Sequence, residues 1–220
     1  MNWEGFAIVW EQRDQMLAGL LATFEISAVA AVLAGLLGLA LFTASLLSRG
    51  RIVAAGLTVL IDTMRCVPFM LFCYLIYYGL PSWGIRLDNI TAGITALVIY
   101  NAAYVAELLR GAWLDQPREH AEAGAAFGFH GWRLVVRLVL PPVLLQAVPT
   151  LGNQLIQIIK DSAFLVIIAV QELTYAANEI QANYYVPFAS FLVAVLCYWS
   201  LCALVESGVR AGVRFADQRR

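Results

Sequence analysis

GLLATFEISAVAAVLAGLLGLALFTASLL, residues 19–47, carries one charge, Glu25, in an otherwise apolar run. At about 1.5 Å of rise per residue, a helix of this length exceeds the roughly 30 Å of hydrocarbon that a spanning segment must cross. It reads as a membrane span that tilts or projects past the lipid at its ends. The rest of the chain has the same character. Of its 220 residues, 61% are hydrophobic and 13% charged, with a mean hydropathy of +0.76. Soluble domains carry about 25% charged residues. The solvent implied is a bilayer, and the fold class expected is an all-α integral membrane helical bundle.

Four further stretches are long and apolar enough to span, at about 53–80, 90–111, 148–170 and 186–208. No internal repeat or low-complexity linker divides them, so residues 1–220 are expected to form a single transmembrane domain. The opening MNWEGFAIVWEQRDQ is acidic and lacks the basic region of a cleavable signal, so none is expected. The net charge of −1 gives no basic face for nucleic acid. Cys66, Cys73, Cys197 and Cys202 all fall in apolar segments and read as small buried hydrophobes, without disulfide or metal spacing.

Arginine placement orients the chain. Arg49 and Arg51 lie between spans one and two, Arg110, Arg118, Arg133 and Arg137 between spans three and four, and Arg210, Arg214, Arg219 and Arg220 after span five. Only Arg13 and Arg86 lie on the opposite side. The positive-inside rule then puts the N-terminus outside and the C-terminus in the cytoplasm. Splitting the fourth span at Lys160–Asp161 would put the last four arginines outside, so five spans are retained.

The loop at about 113–142 is thereby cytoplasmic. Asp115 and Pro117 suit a helix cap and first turn ahead of REHAEAGAAF, Gly128 suits the positive φ that ends such a helix, and Gly131 gives a second turn. WRLVVRLVL then reads as another helix, ending at Pro141–Pro142. Ala121, Gly124, Ala125 and Gly128 form a small-residue face that lets a partner approach closely, with Glu122 free for a directed polar contact. His120 and His130 read as solvated or partner-contacting.

Glu122-Ala123-Gly124, three residues, Gly128, nine residues, then Leu138-x-Leu140-Pro141 resembles the EAA loop of the permease subunits of ABC importers. The family pattern is Glu-Ala-Ala, three residues, Gly, nine residues, Ile-x-Leu-Pro. Gly124 stands where it has Ala, and Leu138 where it has Ile. MRCVPFMLFCYLIYYGLP (64–81), YNAAYVAELLRGA (100–112) and LGNQLIQIIKDSAFLVIIAVQEL (151–173) are similar to the polar amino acid branch, in the same order. Cys66-Val67 departs from the small pair usual before that proline. The resemblance implies that Glu122, Ala123, Gly124 and Gly128 belong to a coupling helix docking on a separate ATPase. It further implies a second membrane permease subunit (the same or a homologous chain), a soluble or lipid-anchored substrate-binding protein, an amino acid substrate and a bacterial inner membrane. No G-x-x-x-x-G-K-[ST] occurs, so ATP and Mg²⁺ are expected on the partner ATPase and no cofactor or metal on this chain.

Charges at membrane depth cost about 2.5–3.5 kcal/mol each on insertion scales and mark function. Asn153, Gln157, Lys160 and Asp161 recur at helical spacing, and counting from Pro149 puts Asp161 about 18 Å into its span. With Glu107 they form the candidate substrate path, a mixed-sign stripe suited to a zwitterion. The competing reading pairs Lys160 with Asp161 or Glu107, Glu107 with Arg110, and Arg65 with Asp62. Tyr77, Tyr78, Trp83, Tyr184 and Tyr185 suit an outer aromatic belt. Two other functions fit less well: a membrane enzyme using Glu107 and Asp161 as a carboxylate pair, and a non-transporting structural subunit. No nucleophile–base constellation supports a catalytic residue.

Overall fold

The computed structural model describes residues 3–48 and 50–217. Arg49, Arg219 and Arg220, used in the charge count, lie outside the described residues, as do the side chains of Arg51, Arg118, His120, Ala121 and Arg214. All elements among the described residues are helical: α1 (Trp3–Glu11), α2 (Arg13–Leu47), α3 (Arg51–Cys66), α4 (Phe69–Tyr74), α5 (Asn89–Leu114), α6 (Arg118–Ala126), α7 (Trp132–Leu134), α8 (Leu140–Ser162), α9 (Leu173–Tyr184) and α10 (Pro187–Asp217). Four continuous helical segments are long and apolar enough to cross a membrane, Arg13–Leu47, Asn89–Leu114, Trp132–Ile168 and Pro187–Val213; α3 with α4 makes a fifth if the broken pair counts as one span.

Two boundaries differ from the sequence reading. Span two is broken at Val67–Pro68, where Val67 is extended (φ −85°, ψ 135°), as a proline demands of the residue before it. Span four begins near Trp132 instead of 148, because the helix does not stop at Pro141–Pro142. A π turn at Val135–Val139 lies directly upstream. The carbonyls that Pro141 and Pro142 would strike in an α-helix, those of Arg137 and Leu138, fall inside this wider turn, so the rings are accommodated. Depth for Asp161 therefore cannot be counted from Pro149. The helix also runs unbroken through Lys160–Asp161 before tightening into a 3₁₀ segment at Ala163–Ile168.

The contacts divide the chain into two compact units. One comprises Met1–Val32, Pro68–Leu97 and Leu155–Glu206. Its core joins Val9 and Met16 to Leu173, Ala177 and Ile180 of α9 and to Ala189 and Ala194 of α10. The other comprises Leu33–Val67, Val98–Gln154 and Ser207–Arg220. Here Phe42 packs with Val105, Leu109, Val139 and Val143. Gly38 makes the α2–α5 approach possible, because a Cβ there would lie 2.6 Å from Val105 Cβ and 2.8 Å from the Ala102 carbonyl oxygen.

Cys73 is buried and Cys197 and Cys202 are half-buried, as expected of small hydrophobes, but Cys66 is exposed. It is the last residue of α3, at the break, where the neighbouring turn no longer covers it.

Candidate functional site

The loop between α5 and α8 is a short helical hairpin. α6 starts after Pro117, which occupies the cap position without a side-chain hydrogen bond; Asp115 instead closes the end of α5, its N–H bonding the Gly111 carbonyl at 3.2 Å. Gly128 follows α6 at φ +83°. Its N–H reaches the Ala125 carbonyl and that of Phe129 reaches the Gly124 carbonyl, both at 3.0 Å. The two bonds satisfy carbonyls at the helix end and fix the reversal, which a side chain at Gly128 would strain. Gly131 takes a second positive φ of 55° and opens α7.

The exposed face of α6 carries Glu122, Ala123 and Ala125, with Phe127 85% exposed beside them. Gly124 does not share it. It is buried against the second arm of the hairpin, where a Cβ would lie 2.4 Å from Leu138 Cδ1 and 2.9 Å from Leu134 Cδ1. The small-residue face expected to meet a partner is thus divided, with Gly124 used internally. Gly124 and Leu138, the two departures from the EAA pattern, touch each other. A glycine leaves the space that a Cγ-branched leucine fills. His130 is exposed.

On α8, Asn153, Gln157 and Lys160 are exposed, whereas Asp161 is 3% exposed and accepts a hydrogen bond from Gln157 Nε2 at 2.8 Å. Lys160 forms no ion pair among the described residues. Glu107 belongs to a different group. Arg110 donates to both its carboxylate oxygens at 2.6 Å, and Arg65 Nη1 lies 3.6 Å from Oε1 and 3.3 Å from Asp62 Oδ1. Tyr104 OH donates to the Arg65 carbonyl at 3.1 Å. The last turn of α3 is pinned to α5 immediately before the break at Pro68.

Residues 27–214 match the family model described as the binding-protein-dependent transport system inner membrane component. The chain belongs to this family. It is 31% identical over 152 residues to the probable glutamine ABC transporter permease protein GlnM of Bacillus subtilis, covering 69% of this chain and 70% of that one. It is 37% identical over 127 residues to the glutamine transport system permease protein GlnP of Escherichia coli K12, covering 57% of this chain and 58% of that one. The solved structure of an amino acid ABC transporter with histidines superposes with a TM-score of 0.87 at 25% identity, over 95% of this chain and 97% of that one. As a member of the binding-protein-dependent permeases the chain is a multi-pass inner-membrane transport subunit and not an enzyme, and its family works with an ATPase and a substrate-binding protein.

One polar centre in this permease has no precursor in the sequence reading. Glu172 is fully buried at the head of α9, where Oε1 accepts from the Tyr175 N–H and Oε2 from the Thr174 N–H, each at 2.9 Å. Tyr198 OH also donates to Oε2, and Thr23 Oγ1 accepts the Leu173 N–H at 3.1 Å. Burial holds its pKa above the usual carboxylate range, against the opposing pull of these donors. The available signal was an acidic residue directly before an apolar helical run, the pattern of an N-cap.

Proposed function

We propose that this permease moves a polar amino acid or related zwitterion into the cytoplasm, the whole chain acting as one permease domain. It pairs with a second membrane subunit, the same or a homologous chain, and receives substrate from a soluble or lipid-anchored binding protein. The N-terminus lies outside and the α6 hairpin and C-terminus in the cytoplasm. ATP and Mg²⁺ act on the partner ATPase, and this chain contributes no cofactor of its own. The amino acid reading is supported by the names of the relatives and by the mixed-sign stripe of α8. Coupling rests on one observation, the helical hairpin whose Gly128 turn leaves Glu122, Ala123 and Phe127 exposed.

In this reading α6 docks on the ATPase, and Gly124 and Gly128 set the shape of the docking element. Reconstitution with ATPase and binding protein tests it. Glu122→Lys should insert normally yet lower stimulated ATPase and uptake by about tenfold, the equivalent of roughly 1.4 kcal/mol at the contact; unchanged stimulation and uptake would remove α6 from the coupling path.

Asn153, Gln157, Lys160 and Asp161 line the substrate path, amides and charges supplying donors and acceptors for an ammonium and a carboxylate. Glu107 has the weakest case of the five, since two guanidinium groups already match its charge. Asp161→Ala should reduce uptake while leaving ATPase stimulation. Recovery of transport in Asp161→Ala with Lys160→Met, at matched membrane levels, would instead show a neutralising pair.

A further inference from the structure

α1 is separate from the first span and is joined to it by Gln12 alone. Its exposed face carries Trp3, Ala7 and Trp10, at the i, i+4, i+7 spacing of one helical stripe, and both tryptophans are more than 70% exposed. The opposite face is buried. A Cβ on Gly5 would stand 3.3 Å from Ala189 Cβ and 3.4 Å from Val186 Cγ1, and Val9 joins the core beneath. These contacts set the depth of α1. Ala189 lies in the first turn of the span that begins at Pro187, and the C-terminal end of α1 abuts the span that begins at Arg13. The helix is therefore held level with the starts of two spans, which is where hydrocarbon gives way to headgroups.

We infer that α1 is an interfacial helix whose Trp3–Ala7–Trp10 face rests in the lipid headgroup layer. The surfaces on either side are continuous with lipid, since Leu17 and Leu21 of α2 and Phe188 and Phe191 of α10 are exposed along membrane spans. The Phe6 ring bridges from Trp3 to Phe188, with centroids 6.1 and 6.3 Å away. Arg13 sits 5.8 Å from the Trp10 ring centroid and donates to the Trp10 carbonyl at 3.3 Å, so an aromatic and a cation meet at the span entrance. Tryptophan favours this zone because its ring is apolar and its indole N–H needs a polar partner. The only charges on α1 are Glu4 and Glu11. Attachment comes from apolar burial and owes nothing to anionic lipid. The inference holds on whichever side of the membrane the N-terminus lies.

The test places the full chain in phosphatidylcholine nanodiscs brominated either near the glycerol end or near the methyl end of the acyl chains. The fluorescence lost between wild type and the Trp3→Phe/Trp10→Phe variant isolates these two rings. Shallow bromines should quench that difference at least about twofold more than deep ones, as belongs to rings at headgroup depth. Replacing a third of the lipid by phosphatidylglycerol should leave it unchanged. No quenching from either depth, stronger quenching from the deep bromines, or a rise with anionic lipid would overturn the inference. So would an unquenched signal that shifts only when soluble binding protein is added, which would give the face to a protein partner. Ala7→Cys carrying a nitroxide, with Cys66→Ser, provides a readout that leaves both tryptophans in place. It should collide with dissolved oxygen more than with a water-soluble nickel chelate, and the reverse order would equally refute the proposal.

Discussion

Gly124 and Leu138 show at single-residue scale how a motif can depart from its family pattern and keep its shape. Gly124→Ala alone adds a methyl 2.4 Å from Leu138 Cδ1. Because that atom ends a flexible side chain, the leucine turns away, offsetting the roughly 1 kcal/mol that alanine gains over glycine in a helix. Gly124→Ala with Leu138→Ile should be more stable than the two single effects imply, by a coupling of about 0.5–1 kcal/mol in a double-mutant cycle. Additive thermal shifts in detergent would show that the two positions are independent. Glu172 supports a second prediction. Glu172→Gln turns an amide N–H₂ toward one of the two backbone N–H groups and should cost about 1 kcal/mol. Burial raises its native pKa, so the native state binds a proton that the unfolded chain has already released. Stability is then greatest below the usual carboxylate range, falls as pH rises toward the raised native value, and levels off above it. This contribution to the slope of melting temperature against pH should vanish in Glu172→Gln.

At the scale of elements, the α2–α5 crossing depends on Gly38. Gly38→Ala brings a methyl against a carbonyl oxygen as well as Val105, and backbone yields less readily than a side chain. A loss of about 1–3 kcal/mol is expected from overpacking, read as earlier thermal unfolding with intact membrane insertion. The spans themselves were legible in the sequence because apolar length is a local property. The α6 hairpin was legible because Gly128 and Gly131 are needed at their positive φ. Two features were not. The passage of α8 through Pro141–Pro142 depends on a π turn, which leaves no compositional mark. The inward turn of Gly124 depends on a neighbour ten or more residues away. The polar stripe of Asn153, Gln157 and Lys160 followed from helical period alone, whereas the assignment of Glu107 to Arg65 and Arg110 needed the packing of α3 against α5.

For the molecule as a whole, the arginine distribution makes a topological prediction. Single cysteines at Arg86 and Asn178 should react with an impermeant reagent from outside, and those at Arg133 and Arg210 only after the membrane is breached. Labelling of Arg210→Cys from outside would reverse the placement of the C-terminal helix end and of the proposed docking surface with it. The π turn at Val135–Val139 has a consequence on this scale too. It is an angular phase setting between the hairpin and everything beyond it on the same helix. Deleting one residue there would restore ordinary α winding and nearly keep the downstream phase, because the π turn is what absorbs the extra residue. Deleting one residue beyond it instead, at Leu144, would turn the downstream segment by about 100° and draw it in by about 1.5 Å. Every amide and charge of the stripe would still be present, on the same helix and in the same order, but pointing a quarter-turn or more away from the proposed substrate path. The Leu144 deletion should insert and assemble yet fail to transport, a defect of rotational timing with no group of the stripe lost, whereas a deletion within Val135–Val139 should keep transport.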